Sequence, residues 1–189
     1  MKRLALLLLT AVLARPALAL NVFACEPEWA ALTAELAGDK ASVFSATTAL
    51  QDVHHIEARP TLIARMRNAD LLVCTGLELE SGWLPVLLQR SGNPRIQPGQ
   101  PGWFEAGMLV PRLDVPTRLD RSEGDVHAAG NPHIQTDPRN IQRVADALAK
   151  RLTELDPANA AVYQARQRDF GQRWQQAIKR WELQAAPLR

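Results

Sequence analysis

The sequence predicts an α/β fold, with a four-stranded parallel sheet that is flanked by helices and followed by one long helix. Two observations predict it: short apolar segments alternate with segments of helical periodicity, and the chain ends in an apolar stripe of helical spacing. Parallel strands need crossover connections, which helices supply, so the alternation favours a parallel sheet covered on both faces. The chain has 189 residues, 47% of them hydrophobic, which is enough for a real core.

Four segments have the composition of buried strands. Each is short and apolar and is bounded by turn residues or by a helical segment. They are residues 21–25 (NVFAC), 41–45 (ASVFS), 71–75 (LLVCT) and, with a weaker pattern, 108–114 (MLVPRLD). The stretch 91–103 is rich in proline and glycine, so we predict that it is a loop.

Helical segments connect and follow these strands. In the first, Trp29, Leu32 and Leu36 repeat at helical spacing between Pro27, which suits a first helical turn, and Gly38, which ends the helix. The further predicted helices are residues 61–68, 83–89, 137–152 and 158–185. The last is about 42 Å long at 1.5 Å per residue, whereas a lobe of this size has a radius of gyration of about 13 Å. Part of this helix must therefore pack on something else.

Residues 1–19 have the layout of a secretory signal peptide. Two basic side chains precede the apolar run 4–13, and residues 17–19 (ALA) supply a small-x-small cleavage site. The run is about half of the ~20 residues that a membrane-spanning helix needs. We therefore expect export to the periplasm, with no membrane insertion after the signal is removed.

Removal of this segment changes the charge balance. The whole chain has 22 basic and 20 acidic side chains, and the chain without residues 1–19 keeps 19 basic and all 20 acidic ones. The basic excess thus belongs to the signal segment. No basic patch with interleaved aromatic residues remains, which argues against nucleic acid as a partner.

Cys25 and Cys74 are the only cysteines of the sequence. In an exported protein an even pair predicts one disulfide, and both residues lie at the ends of predicted parallel strands, where a bridge is geometrically feasible. Two buried thiols that pack as small hydrophobic side chains are the alternative. A cysteine-based zinc site is disfavoured because the pair lacks the CxxC spacing of such sites.

All four histidines lie in two loops. His54 and His55 (QDVHHIEARP) follow the second predicted strand, and His127 and His133 (GDVHAAGNPH) follow the fourth. Ligands of open α/β sheets bind beyond the carboxyl ends of the strands, so we expect the two loops to meet there. A single histidine in a polar loop is usually only solvated. Their grouping favours a transition-metal site, because neutral imidazole is the commonest ligand of such ions.

Other polar and aromatic residues have weaker patterns. Glu78 and Glu80 follow the third predicted strand, and we interpret them as solvated loop residues rather than as metal ligands or an acid–base pair. The five tryptophans are interpreted as core residues rather than as a ligand cage, since several of them lie at helical spacing.

The histidine segments resemble those of the zinc and manganese substrate-binding proteins of ABC transporters. Residues 52–57 (DVHHIE) are similar to the DPHxYEP segment of that family, and residues 131–133 (NPH), with Asp137-Pro138 after them, are similar to its second histidine segment. The order of parts is also similar: a signal peptide, the CEPEW opening of the first helix, TGLELE after the third strand, and a long final helix. The resemblance covers residues 21–189.

In that family two α/β lobes are joined by one long rigid helix, and the metal lies between the lobes. The resemblance implies that residues 20–157 are the N-terminal metal-binding lobe, that residues 158–189 are the linker helix, and that the second lobe is absent from this sequence. It implies His54 and His133 as the metal ligands. His55 falls at a variable position, and His127 falls in a mobile loop that captures metal.

The resemblance therefore implies the periplasmic solute-binding component of a metal ABC importer. Its partners are a transition-metal ion and the membrane permease, and no enzymatic activity is expected. Zinc is favoured over manganese because imidazole suits zinc, whereas manganese sites need more carboxylate oxygen. With two of the four ligands of the family, we expect zinc affinity that is micromolar or poorer.

Two other functions stay open from the sequence alone. A secreted zinc hydrolase has His54 and His133 as ligands and Glu57 to activate water, but a third protein ligand is not evident. A metal-buffering or interaction module keeps the same ligands and has no role in transport.

Overall fold

The computed structural model describes residues 19–120, 122 and 124–188. The predicted signal peptide lies outside the described residues except for residue 19. The described part contains four strands and five α-helices. The strands are β1 (Leu20–Ala24), β2 (Ala41–Ser45), β3 (Leu71–Cys74) and β4 (Trp103–Glu105), and the helices are α1 (Pro27–Ala37), α2 (Pro60–Arg67), α3 (Leu84–Ser91), α4 (Pro138–Leu155) and α5 (Ala160–Ala185).

The four strands form one parallel sheet in the order β2-β1-β3-β4. Val22 in β1 pairs with Val43 in β2 and with Leu71 in β3, and Val73 pairs with Phe104 in β4. The predicted α/β class and the four-stranded parallel sheet are confirmed. Each predicted helix is also present, with bounds that differ from the prediction by up to three residues.

The predicted position of the fourth strand is wrong. Residues 108–114 are not a strand, and β4 lies earlier, at the end of the stretch predicted as loop. Gly102 explains the difference: a Cβ there would lie 2.5 Å from the carbonyl oxygens of Asp70 and Arg95. Only glycine lets the backbone approach this closely, and the Gly102 carbonyl then accepts a hydrogen bond from the Leu72 amide (2.8 Å).

Alternate residues of the strands face two separate cores, as the strand period of two requires. Val22 and Ala24 face the core under α1, α4 and α5, whereas Phe23 and Cys25 face the core under α2 and α3. Both faces of the sheet are thus covered. The loops at the carboxyl edge are left to form a site.

The long helix α5 packs on the lobe from Tyr163 to Ile178. Tyr163 is buried and donates a hydrogen bond to Asp156 (2.6 Å), and the Trp174 indole donates to the Pro138 carbonyl (2.7 Å). Toward its carboxyl end the apolar side chains become exposed, with Trp181 at 43% and Leu183 at 77%. This agrees with the expectation that the helix extends past its own lobe. No helix of the described residues has the length and apolarity that a membrane crossing requires.

Candidate metal centre

A disulfide closes the base of the carboxyl edge. Cys25 and Cys74 follow β1 and end β3, their Cα atoms lie 4.8 Å apart, and the two sulfurs are bonded. The predicted disulfide is confirmed. Both residues are at most 1% exposed, so the bridge ties the two central strands together beneath the loops that follow them.

Two buried glutamates lie beside the disulfide. Glu26 and Glu80 are 3% and 2% exposed, and both accept a hydrogen bond from the Thr75 amide, at 3.2 and 2.8 Å. Burial raises the pKa of both carboxyls, and for Glu26 the charge of Glu80 raises it further. The interpretation of Glu80 as a solvated loop residue is therefore wrong. Glu78 and Glu80 have similar neighbours in the sequence, so the sequence gives no sign that Glu80 is buried while Glu78 is exposed.

The first histidine loop places His54 over this base. Asp52 accepts hydrogen bonds from the His54 amide (3.0 Å) and from its Nδ1 (2.8 Å). The hydrogen bond from the His54 side chain is the largest of the causes that lower the pKa of Asp52 to about 2. A carboxylate at Nδ1 holds the proton on that nitrogen and leaves the lone pair of Nε2 for a ligand.

The second histidine loop brings two more rings to His54. His54 Nε2 and His127 Nε2 lie 3.2 Å apart, and the His133 ring centroid lies 6.2 Å from that of His54. His55 is different: its side chain is 71% exposed and its Nδ1 bonds to Asp52 (3.1 Å). The structure thus groups His54, His127 and His133.

Short-range hydrogen bonds shape the His133 turn. The side chain of Asn131 accepts from the His133 amide (2.9 Å), and the His133 carbonyl accepts from the Thr136 hydroxyl (2.7 Å). Asp137 then caps α4 by accepting from the Arg139 amide (2.9 Å). The segment N-P-H followed by D-P therefore fixes one histidine directly before a helix start.

His127 is positioned from a distance in the sequence. The Glu78 carboxylate accepts hydrogen bonds from the amides of Ala128 (2.6 Å) and Ala129 (3.4 Å). Burial lowers the pKa of His127, and the neighbouring His54 lowers it further, which favours the neutral form of this imidazole. The family resemblance ranks His127 below His133 because it places His127 in a mobile loop.

Two adjoining cavities open at the cluster. One of about 520 Å³ is lined by His54, Glu78 and His127, and another of about 280 Å³ is lined by His54, His127 and His133. His54 and His127 thus face both cavities. Imidazole is the commonest side-chain ligand of transition-metal ions, so the three rings beside this open space are a candidate ligand set. By contrast, Glu57 is exposed and lines neither cavity.

The fold and the histidine cluster define an α/β lobe with a candidate metal site. Residues 22–189 match the family model described as zinc-uptake complex component A, periplasmic, and the chain belongs to this family. A curated relative that matches 77% of the chain is named a metal ABC transporter substrate-binding lipoprotein, which is a binding protein and not an enzyme. The resemblance inferred from the histidine segments and the prediction of a non-enzymatic protein are confirmed.

Individual relatives differ in the metal that they are named for. The manganese ABC transporter substrate-binding lipoprotein scaA of Streptococcus gordonii is 28% identical over 148 residues, which cover 77% of this chain and 44% of that protein. The iron-binding protein YfeA of Yersinia pestis is 30% identical over 131 residues, which cover 68% of this chain and 37% of that protein. The chain spans less than half the length of these relatives.

A solved structure supports the fold independently. The crystal structure of ZnuA superimposes with a TM-score of 0.67 at 24% sequence identity, over 84% of this chain and 57% of that one. At this identity the likeness concerns the fold alone. It agrees with the order of strands and helices described above.

Proposed function

We propose that this chain provides the metal-binding lobe of a periplasmic protein that delivers zinc to the permease of an ABC importer, with His54 and His133 as ligands. One observation supports it most: the two loops that contain these residues, 79 positions apart, meet at the carboxyl edge of the sheet with ring centroids 6.2 Å apart. Membership of a family of metal ABC transporter substrate-binding proteins supports the transport role.

The donor set favours zinc as the cargo. Three histidine rings line the site, and three of the nearby carboxylates have partners: Asp52 bonds to two histidine rings, Glu78 to the amides of the second loop, and Asp114 to Asn131 (3.1 Å). Asp125 is a further carboxylate that lines both cavities, so imidazoles outnumber the carboxylates without such a bond. Zinc prefers imidazole, and manganese prefers free carboxylate oxygen. Relatives named for manganese and for iron show that the donor set of each protein has to be considered separately.

The proposal also assigns the parts of the chain. Residues 1–19 direct export, residues 20–157 are the lobe, and residues 158–189 are the helix that joins it to a second lobe. The exposed apolar side chains near the end of α5 support this role, since they need a partner surface. The share of the relatives' length that the chain covers is compatible with it.

Competition with a chromophoric chelator tests the proposal. Zinc and manganese are titrated into the chain without residues 1–19, and into its His54→Ala and His133→Ala variants. We expect zinc to bind more tightly than manganese and both substitutions to weaken it. Glu57→Ala is the control, because this exposed acid lies outside both cavities. Unchanged zinc binding in both histidine variants refutes the assigned ligands.

A further inference from the structure

We propose that His127 is a third metal ligand contributed by this lobe, and that Glu78 is the positioning residue that holds it beside His54. The inference rests on the proposed function, because it concerns the same ion. It changes the number of imidazoles that one lobe supplies from two to three. It also gives a role to a glutamate that the sequence pattern left among solvated loop residues.

The separation of the two ring nitrogens is the first argument. His54 Nε2 and His127 Nε2 lie 3.2 Å apart. Two nitrogens bound to one tetrahedral zinc ion at about 2.0–2.1 Å are separated by roughly 3.3 Å. The two imidazoles therefore stand at the distance that a shared ion requires.

The proton between these nitrogens is consistent with this role. In the tautomer of His54 whose Nδ1 donates to Asp52, Nε2 is the acceptor, and the contact with His127 then has His127 Nε2 as the donor. A metal ion at this position replaces that proton, and the His127 imidazole then has its own proton on Nδ1. Metal ligation by neutral histidine always requires such a free lone pair.

The anchoring of the second loop is the next argument. Glu78 accepts from the two amides that directly follow His127, so its carboxylate fixes the backbone at the ligand. Further along the loop, Gly130 has φ +104°, and a Cβ there would lie 2.8 Å from the Leu113 carbonyl oxygen. The loop is thus held on both sides of the His127–Gly130 turn.

The backbone that presents Glu78 is strained. Gly76, Leu77 and Glu78 have φ values of 75°, 53° and 70°, so three consecutive residues are in the left-handed region. Side chains other than glycine rarely adopt this conformation, and it persists only where the surroundings require it. Here it turns the Glu78 carboxylate toward a loop 50 residues away in the sequence.

One bridging segment, residues 76–83, contacts both histidine loops. At one end Glu78 holds the loop of His127. At the other, the Trp83 indole donates to the Val53 carbonyl (2.8 Å), and a Cβ on Gly82 would lie 2.8 Å from the His54 carbonyl oxygen. The bridging segment therefore sets the distance between His54 and His127, which is the distance that matters for a shared ion.

Zinc affinity and X-ray absorption of the zinc-loaded full chain test the inference. Outer-shell scattering counts the imidazoles bound to zinc: we expect three in the wild type and two in His127→Ala or in the more conservative His127→Gln. The dissociation constant is expected to rise about 10-fold or more in both variants. Glu57→Ala is the control, since this exposed side chain lines neither cavity, and its affinity is expected to match the wild type.

Substitutions at Glu78 test its positioning role. Glu78→Ala removes the acceptor for the Ala128 and Ala129 amides, and we expect about 10- to 100-fold weaker binding, as for other residues that orient metal ligands. Glu78→Gln keeps an amide oxygen as acceptor and is expected to restore most of the affinity. Equal losses in Glu78→Ala and Glu78→Gln, or no loss in Glu78→Ala, overturn the positioning role.

The outcomes separate this inference from the proposed function. If zinc binding depends on His54 but His127→Ala and His127→Gln keep three imidazoles and wild-type affinity, the third ligand is refuted and the proposed function stands. If the wild type does not bind zinc, or binds it equally well without His54 and His133, the proposed function fails. Circular dichroism of each variant shows that a lost affinity does not come from unfolding.

Discussion

Two layers at the carboxyl edge of the sheet differ in their burial and in the bonds that hold them. The lower layer, formed by Cys25, Cys74, Glu26, Glu80 and Thr75, is at most 3% exposed and is joined by a disulfide and short hydrogen bonds. The upper layer consists of the two histidine loops, whose side chains face open cavities. The comparison teaches that the lower layer holds the two central strands together, whereas the upper layer contains the proposed metal ligands.

The lower layer is built around one amide. The Thr75 amide donates to both glutamates, and the Thr75 hydroxyl accepts from the Trp29 indole (2.7 Å) and donates to Glu26 (3.1 Å). Glu26 Oε1 is buried and has no hydrogen-bond partner among the described residues. A proton shared with Glu80 satisfies this oxygen, which agrees with the raised pKa of both carboxyls.

The largest expected effect comes from breaking the lower layer. Replacing both cysteines, Cys25→Ser with Cys74→Ser, is expected to lower the free energy of unfolding by about 2–4 kcal/mol, because the bridge restricts the unfolded chain. Urea denaturation of the variant and the wild type measures the loss. Zinc affinity of the folded variant is expected to stay close to the wild type, and a lost affinity contradicts the separation of the layers.

A change in the upper layer is expected to have the opposite pattern. Asp52→Ala removes the carboxylate that orients His54, so zinc affinity is expected to fall about 10- to 100-fold. Stability is expected to change little, because Asp52 is mostly exposed. Asp52→Asn keeps one oxygen as acceptor and serves as the control. Chelator competition and urea denaturation on the same samples show whether affinity and stability separate.

A smaller effect is expected at the contact between the bridging segment and the first loop. Trp83→Phe keeps the buried ring but leaves the Val53 carbonyl without its donor, which costs about 1–2 kcal/mol. We expect faster hydrogen exchange in the loop that contains His54. Exchange that accelerates only in the loop of His127 contradicts the assigned contact.

The smallest expected effect is on the pH dependence of stability. The pKa of Glu80 is higher in the folded protein than its ordinary value of 4.5, so the folded state keeps a proton that the unfolded state releases. The free energy of unfolding therefore decreases as the pH rises from 4.5 through the higher pKa that Glu80 has in the folded protein. Glu80→Gln cannot titrate, so its melting temperature is expected to fall less over this range. Identical slopes in the two proteins contradict the shared proton.

The sequence predicts what depends on local pattern. Alternating apolar segments predict the parallel sheet and helices, strand ends predict the pairing of Cys25 with Cys74, and two loop segments predict that His54 and His133 meet. Periodicity and turn residues are sufficient for these features because each is encoded within a few neighbouring residues.

Features that depend on distant contacts could not be predicted. The position of β4 depends on the close approach of Gly102 to Asp70 and Arg95. The burial of Glu80 depends on its hydrogen bonds to the end of β3, and the place of His127 depends on Glu78, which bonds to the Ala128 amide 50 residues later. In each case one side chain, or the missing Cβ of a glycine, contacts residues that are distant in the sequence. A local sequence pattern contains no information about such contacts.

Anomalous diffraction at the zinc edge, on crystals of the zinc-loaded chain, tests most directly whether the metal lies between the two histidine loops. We expect one strong peak at about 2.0–2.1 Å from His54 Nε2 and from a ring nitrogen of His133. The peak lies above the carboxyl edge of the sheet, next to both cavities. A peak bound only by Asp52 and His55, or located away from both loops, contradicts the account.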